Sequence, residues 1–381
     1  MSHKLSTKWA ILSISLFLMS HLAIAPAIPK LYQLYHGANP HIGLASVETL
    51  VTIPAMMITL FVLLSNLVVA KIGKLKTIRL GLILILISGI VSFLTSQFVL
   101  VLMARLLLGI GIGLYNSLSI SILSDFYEGD ERASMIGFRT ATLNIGKALT
   151  TFMVGLALMI GVNYTYLVYL LVIPVYFFFN AKVPGLDKEL VPLKSARIFD
   201  AKIAILMVIT FLVGVAYIGA TVKIPTLLVT KYHYSSFFAS NMLTVLAFSG
   251  IFSGLLFGFL TKFLKEKALL VMLALMALGN FLFALSPWPI LFVLASVLIG
   301  ASFVGTMSSV FYLIAKSYSQ EHIHFVTSLA ITAGNIGVIL TPVLLTKIPA
   351  ALHLEAFTTP FLISTTFMVI GLALFPVLQK K

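Results

Sequence analysis

Long apolar runs separated by short polar segments set the rhythm of this chain. Twelve such runs begin near Trp9, Ile42, Ile78, Phe98, Met135, Tyr164, Ile203, Phe238, Ala268, Trp288, Val326 and Phe357. A run of about 20 apolar residues crosses the roughly 30 Å hydrocarbon layer of a bilayer as an α-helix. Isolated strands are excluded, because lipid offers no partner to an unpaired backbone group. The pattern predicts an all-α membrane protein with twelve transmembrane helices. Lys4 and Lys8 precede the first run, which ends Ala23-Ile24-Ala25, and a cleaved secretory signal has the same look. Pro26 follows at once and eleven more runs come after, so this segment is read as the first span.

The polar punctuation repeats. Lys71-x-x-Lys74-x-Lys76 returns 191 residues later as Lys262-x-x-Lys265-x-Lys267. At the same offset Asn144-Ile145-Gly146-x-x-Leu149-Thr150 returns as Asn335-Ile336-Gly337-x-x-Leu340-Thr341. Apolar coincidences are cheap in such a chain, but matched charges and a matched Asn are not. The offset is half of the 381 residues, so the chain reads as two pseudo-symmetric six-helix bundles in tandem. Residues 1–180 form the first bundle and 202–381 the second. The connector, 181–201, carries Pro184, Gly185, Pro192 and mixed charge, and is too short for a folded domain.

Composition agrees. Hydrophobic residues make up 60% of the chain and charged residues 9%, a mixture that water cannot solvate as a surface. Lys and Arg outnumber Asp and Glu 25 to 11, for a net charge of +14. Such an excess can signal nucleic acid, but here it sits in short loops between spans and reports topology. Alternate loops and both ends hold 19 of the 25 cations, the opposite loops only Lys30, Lys223, Lys231 and Lys347, and Arg105 and Lys147 lie inside spans. Both termini are therefore expected in the cytoplasm, with the chain in the cell (plasma) membrane. No Cys is present, which removes disulfides and thiolate metal sites.

Two six-helix halves with this loop chemistry resemble the major facilitator superfamily of secondary transporters. Asn66-Leu67-Val68-Val69-Ala70-Lys71-Ile72-Gly73-Lys74 is similar to its signature after the second helix, Gly-x-Leu-Ala-Asp-Arg-x-Gly-Arg, with Asn66 in place of the first Gly and Ala70 in place of the Asp. Arg105-x-x-x-Gly109-x-Gly111-x-Gly113 resembles the second signature, in helix 4, and Asp125 to Arg132 the acidic loop after it. The drug-antiporter branch has Gly-Pro-x-x-Gly-Gly in helix 5. The aligned residues here are Thr150-Thr151-Phe152-Met153-Val154-Gly155, so only the last Gly survives. In appearance the chain is closest to bacterial multidrug and sugar efflux members. The resemblance implies alternating access to a central cavity, and it brings Asp125 close to the loop of Lys71, Gly73 and Lys74. A lysine contact with Asp125 would latch the cytoplasmic side, and the alternative is that these cations, with Arg132, only set topology. Gly109, Gly111, Gly113, Gly146 and Gly155 read as helix-packing positions.

Ionisable groups inside spans point to function, because charge in lipid is expensive. A rise of about 1.5 Å per residue puts Lys147 about 20 Å along the fifth span and Arg105 about 10 Å from the end of the fourth. His21 and Glu48 lie at comparable levels of the first and second spans. In the superfamily these four helices line the N-terminal side of the cavity. Glu48 is the one acid within a span away from the cytoplasmic ends, and a buried carboxylate is what proton coupling needs. Otherwise it permanently neutralises Arg105 or Lys147. Arg105 matches a family arginine that serves structure or coupling. Lys147 has Val338 as its counterpart in the second half, so substrate or coupling work is open to it, as is a pair with Glu48. His21 titrates near neutral pH unless perturbed. Asn144 and Asn335 either meet substrate or tie helices. Asn116, Tyr217, Asn241 and Tyr312 are further polar candidates. Pro29 and Pro225 are expected to end the first helix of each half, and Pro342 to interrupt the eleventh. The second half has no acid or base well inside a span, Lys223 and Lys231 being placed near the outer face. It offers Phe303, Met307, Ser308 and Phe311 for an apolar body.

Other signals fail. Glu321-His322-x-His324 puts its two His on different helix faces with no third ligand, and the sequon Asn163-Tyr164-Thr165 abuts the membrane. No Walker loop, His-Glu-x-x-His or Gly-x-Ser-x-Gly occurs, so the chain reads as neither an ATP-driven pump nor an enzyme, and needs no cofactor. The expected function is proton-coupled antiport, the efflux of a small amphipathic compound. The expected partners are that small molecule, protons and lipid, without nucleic acid, and the chain acts as a monomer. The alternatives are an organic-anion carrier, suited to two cavity cations against one acid, and a membrane sensor or scaffold that moves nothing.

Overall fold

The computed structural model describes residues 5–127, 129–185, 198–285 and 288–379, and every described element is helical. The expected connector, 181–201, lies outside the described residues over 186–197. The helices gather into two compact units, Met1–Leu190 and Val191–Lys381.

In the first unit, α1 (Leu5–Ser13) leads into three short 3-10 turns, Ile14–Phe17, Ser20–Leu22 and Ala25–Ala27, before α2 (Ile28–Ala38). Pro29 therefore starts the last part of the first span; it does not end the span. An amide-free residue is tolerated in a first helical turn. Next come α3 (Leu44–Ile72), α4 (Lys74–Leu94), α5 (Phe98–Asn116), α6 (Leu118–Phe126) and α7 (Gly129–Ala157). A 3-10 stretch, Asn163–Leu171, and α8 (Val172–Lys182) complete the unit. Gly73 separates α3 from α4 with φ 86°, a left-handed conformation in which any β-carbon would be strained.

The second unit contains α9 (Ala201–Thr226), α10 (Ser236–Leu264), α11 (Ala268–Leu285), α12 (Pro289–Ser317), α13 (Gln320–Pro342), α14 (Ile348–Ala351) and α15 (Thr359–Gln379). Asp200 caps α9 by accepting a bond from the Ile203 amide at 2.8 Å, and Ser235 caps α10 through the Phe238 amide at 3.1 Å. Pro225 does not end α9, which runs one residue further and then widens into a π-turn, Leu227–Lys231. A second π-turn, Val343–Lys347, follows Pro342.

Among the described residues, ten stretches are long and apolar enough to cross a membrane. One, Ser236–Leu285, spans 50 residues and contains both α10 and α11. The helix missing from the ten is α7, which has the length but carries Asp130, Glu131, Arg132, Arg139 and Lys147. It begins at Gly129, six residues before the apolar run, so Lys147 lies 18 residues, about 27 Å, along it.

Small residues set the packing. A β-carbon on Gly109 of α5 would stand 2.5 Å from the Pro54 carbonyl of α3, and one on Gly111 would stand 2.6 Å from the Gly81 carbonyl of α4. Gly146 of α7 allows the Leu16 carbonyl of the first span to approach to 2.0 Å of where its β-carbon would be. Gly337 does the same for Phe211 of α9 at 2.3 Å in the second unit, 191 residues on. Without a hydrophobic force between helices in lipid, such backbone contact is what holds spans together.

Candidate functional site

Two breaks in backbone pairing define the centre of the first unit. Pro54 lies inside α3 and has no amide hydrogen for the carbonyl four residues earlier, that of Leu50. The first span is wound as 3-10 turns around His21, outside the regular α-helical ladder. At membrane depth a freed carbonyl must be satisfied by protein. Arg105 of α5, fully buried, does this. Its Nε donates to the Leu50 carbonyl at 2.7 Å, one Nη donates to the Tyr169 hydroxyl at 2.6 Å, and the other donates to the His21 carbonyl. Tyr169 in turn donates to the Ser20 carbonyl at 2.9 Å. Arg105 thus bolts the first span, α3 and the Asn163–Leu171 stretch to α5. Its planar fork makes three directed bonds, which a lysine could not. Pro54 was the sequence signal for this clamp.

The other buried groups gather around the clamp. Glu48 is one helical half-turn from Leu50 and has no exposed surface. His21, 8% exposed, lies within electrostatic range of both Arg105 and Lys147, and Lys147 is 1% exposed. His21 thus has both cations within electrostatic range, and Glu48 is buried in α3 two residues from the carbonyl that Arg105 holds.

The remaining candidates separate. Asn144 is buried, but its amide donates to the Thr140 carbonyl of its own helix at 3.0 Å. Asn335 is half-buried in α13. Asn116 ends α5, and its Oδ1 accepts from Arg139 at 3.2 Å. The Arg139 Nε donates to the Ser119 hydroxyl at 3.1 Å. Arg139, assigned to a loop by the apolar pattern, thus turns inward from α7, because that helix starts six residues earlier. Its spacing of seven from Arg132 and eight from Lys147 was the signal, since those intervals nearly share one helix face.

At the end of α6, Lys74 pairs with Asp125, and their side chains are 6% and 14% exposed. Lys71 and Arg132 are exposed. Position 316, 191 residues after Asp125, is a lysine, and Lys316 pairs with Glu266 at 2.6 Å. Glu266 corresponds to Leu75, the neighbour of Lys74, so the second unit carries a contact of reversed charge displaced by one residue. Tyr318 donates to both oxygens of Asp200 at 2.8 and 2.9 Å, and burial together with that carboxylate pushes its phenol up.

In the second unit Tyr217 of α9 stacks on Phe303 of α12, with ring centroids 3.7 Å apart. Lys223 is 2% exposed and donates to Thr346 of the second π-turn at 2.6 Å. Lys231 reaches Glu355 at 3.1 Å. Among the described residues no group of three or more His, Asp and Glu could hold a metal ion, and the Glu321 and His324 side chains lie outside them.

The family model of the Major Facilitator Superfamily matches residues 10–342 and 206–381. A variant of the nucleoside transporter NupG has the same fold at TM-score 0.79 and 14% identity, covering 98% of this chain and 100% of that one. A D-xylose-proton symporter gives 0.76 and 15%, covering 98% and 97%. A bacterial homologue of the human lysosomal transporter Spinster, solved inward-facing and unoccupied, gives 0.70 and 16%, covering 99% and 98%. At these identities the likeness establishes the fold. No curated protein sequence matches the chain.

Proposed function

The chain belongs to the major facilitator superfamily, and on that premise we propose that it is a proton-coupled secondary transporter of a small amphipathic solute, working by alternating access. The observation that carries this reading is Glu48, a fully buried carboxylate two residues along α3 from the carbonyl that the Arg105 clamp holds. Coupling requires such a carboxylate to exchange its proton as the site opens to one side and then the other. One solved relative by fold is a D-xylose-proton symporter, a protein named for the same coupling ion. The chain is multi-pass and acts as a monomer in the plasma membrane, with both termini in the cytoplasm and six crossings in each half. In this reading the solute moves outward. The test is proteoliposome flux across a compound panel under an imposed proton gradient. Gradient-dependent flux lost in Glu48→Gln supports the reading, and absence of flux for every compound defeats it.

A second reading is favoured by one observation. Arg105, Lys147 and Arg139 all turn into the first unit, while Glu48 is the one fully buried acid among its described residues. That balance suits an organic anion and opposes a lipophilic cation. Competition of a carboxylate against a cationic dye for transport separates the two.

A further inference from the structure

Arg139 has no carboxylate partner among the described residues. Its two bonds go to neutral acceptors, the Ser119 hydroxyl and the Asn116 side-chain carbonyl. Ser119 is 1% exposed and spends its own hydrogen on the Asn116 backbone carbonyl at 2.6 Å. These acceptors sit where the fourth span is interrupted at Ser117, between α5 and α6. Tyr115, on the last turn of α5, is completely buried, and its hydroxyl has no hydrogen-bond partner. It lies within electrostatic range of Arg139. Arg139 is half-buried with only neutral partners, and an orphaned buried hydroxyl costs roughly 1–3 kcal/mol. The chain tolerates both at one place.

We propose that Arg139, Tyr115 and the Asn116–Ser119 break form an oxyanion subsite that takes the carboxylate or phosphate of a ligand. One edge of the guanidinium is held by Ser119 and Asn116, which orients it, and the remaining Nη1 hydrogens and the Tyr115 hydroxyl supply donors. The ligand must supply acceptors and negative charge. A sugar hydroxyl would leave the guanidinium uncompensated, and a cation would be repelled. A planar fork suits the paired oxygens of a carboxylate or phosphate. Lys147 lies eight residues further along α7, about 12 Å, so a second cation follows the first along the same helix. As a step on a transport path the subsite rests on the transporter reading; as a binding site it stands alone.

The test uses the purified full chain in detergent, with sodium benzoate and sodium phosphate as probes and sodium chloride at equal ionic strength as control. Thermal unfolding and calorimetric titration read binding. Saturable binding of at least one probe, weakened tenfold or more in Arg139→Gln, is expected, since a lost bond to a charged group is worth roughly a factor of ten. Tyr115→Phe removes one oxygen atom and keeps the packing, so it carries the test if Arg139→Gln does not fold. It should weaken binding about threefold to tenfold while raising unliganded melting, since it removes a buried hydroxyl that has no partner. No saturable binding by the wild type, or equal binding by the folded variants, overturns the subsite. Nanodiscs with and without phosphatidylglycerol separate the sources of the anion. Competition by that lipid, lost in Tyr115→Phe, assigns a headgroup phosphate, and its absence assigns a soluble solute. Binding without flux would leave the subsite standing and remove the transport reading; flux without binding would do the reverse.

Discussion

Replacing Arg105 by lysine keeps the positive charge and removes the fork. Three bonds depend on that fork, to the Leu50 carbonyl, the Tyr169 hydroxyl and the His21 carbonyl. A lysine ammonium in the same volume can keep one of them. Bonds to charged groups are worth about 1.5–3 kcal/mol each, so two lost bonds set an upper bound of about 3–6 kcal/mol. Polar contacts within membranes measure lower than those in water, because the freed groups find other partners, which brings the expected cost to about 2–4 kcal/mol. For a unit of this size that corresponds to a fall of roughly 5–15 °C in the unfolding midpoint. Tyr169→Phe removes one of the same bonds and should cost about 1–2 kcal/mol. The double variant should cost clearly less than the sum, since both changes break one network. The assay is detergent unfolding followed by loss of monodisperse protein, run on the two single variants and the double. If Arg105→Lys melted with the wild type yet abolished flux, Arg105 would belong to the transport chemistry and the clamp would be wrong.

Three further outcomes follow from the same contacts. Asp125→Asn should cost about 1–3 kcal/mol, because it leaves the Lys74 ammonium buried without its partner, and the exchanged pair Lys74→Asp with Asp125→Lys should recover at least half in the same unfolding assay. Gly146→Val should abolish recovery of folded protein on size exclusion, since the new β-carbon would lie 2.0 Å from the Leu16 carbonyl, whereas Gly137→Val, with nothing within 4 Å, should be recovered normally. Burial alone would raise the Glu355 carboxyl, but bonds from the Thr358 hydroxyl and amide at 2.5 Å, with Lys231 beside it, hold it at about 2. A depressed carboxyl stabilises the fold above its ordinary value of 4.5 and loses that contribution as pH falls toward 2. The wild type should therefore out-melt Glu355→Gln above pH 4.5, with the gap closing below it and shrinking in high salt, because Glu355 is 45% exposed.

The spans were legible because lipid punishes unpaired backbone and exposed charge so heavily that length and hydropathy nearly decide the matter. The 191-residue offset was legible because lysines and asparagines are scarce enough for their coincidence to carry weight. The helix of the fifth span begins six residues before its apolar run, since α7 carries charges inside the helix and hydropathy reads such residues as loop. That early start hid Arg139. The 3-10 turns of the first span and the two π-turns left no trace in the apolar pattern, because they preserve composition and change only which carbonyl meets which amide. The partners of Arg105 were hidden for the same reason. A proline four residues after Leu50 frees a carbonyl, but only the fold says which donor arrives.

Proton movement through Glu48 is tested most directly by a pH-sensitive dye sealed inside proteoliposomes, with transported compound added outside at neutral pH and no other ion gradient. The wild type should alter the internal pH as the compound moves, and Glu48→Gln should still exchange labelled for unlabelled compound while leaving the dye unchanged. Compound moving at the same rate with no change in internal pH in the wild type, or an undiminished dye response in Glu48→Gln, would contradict coupling through that carboxylate.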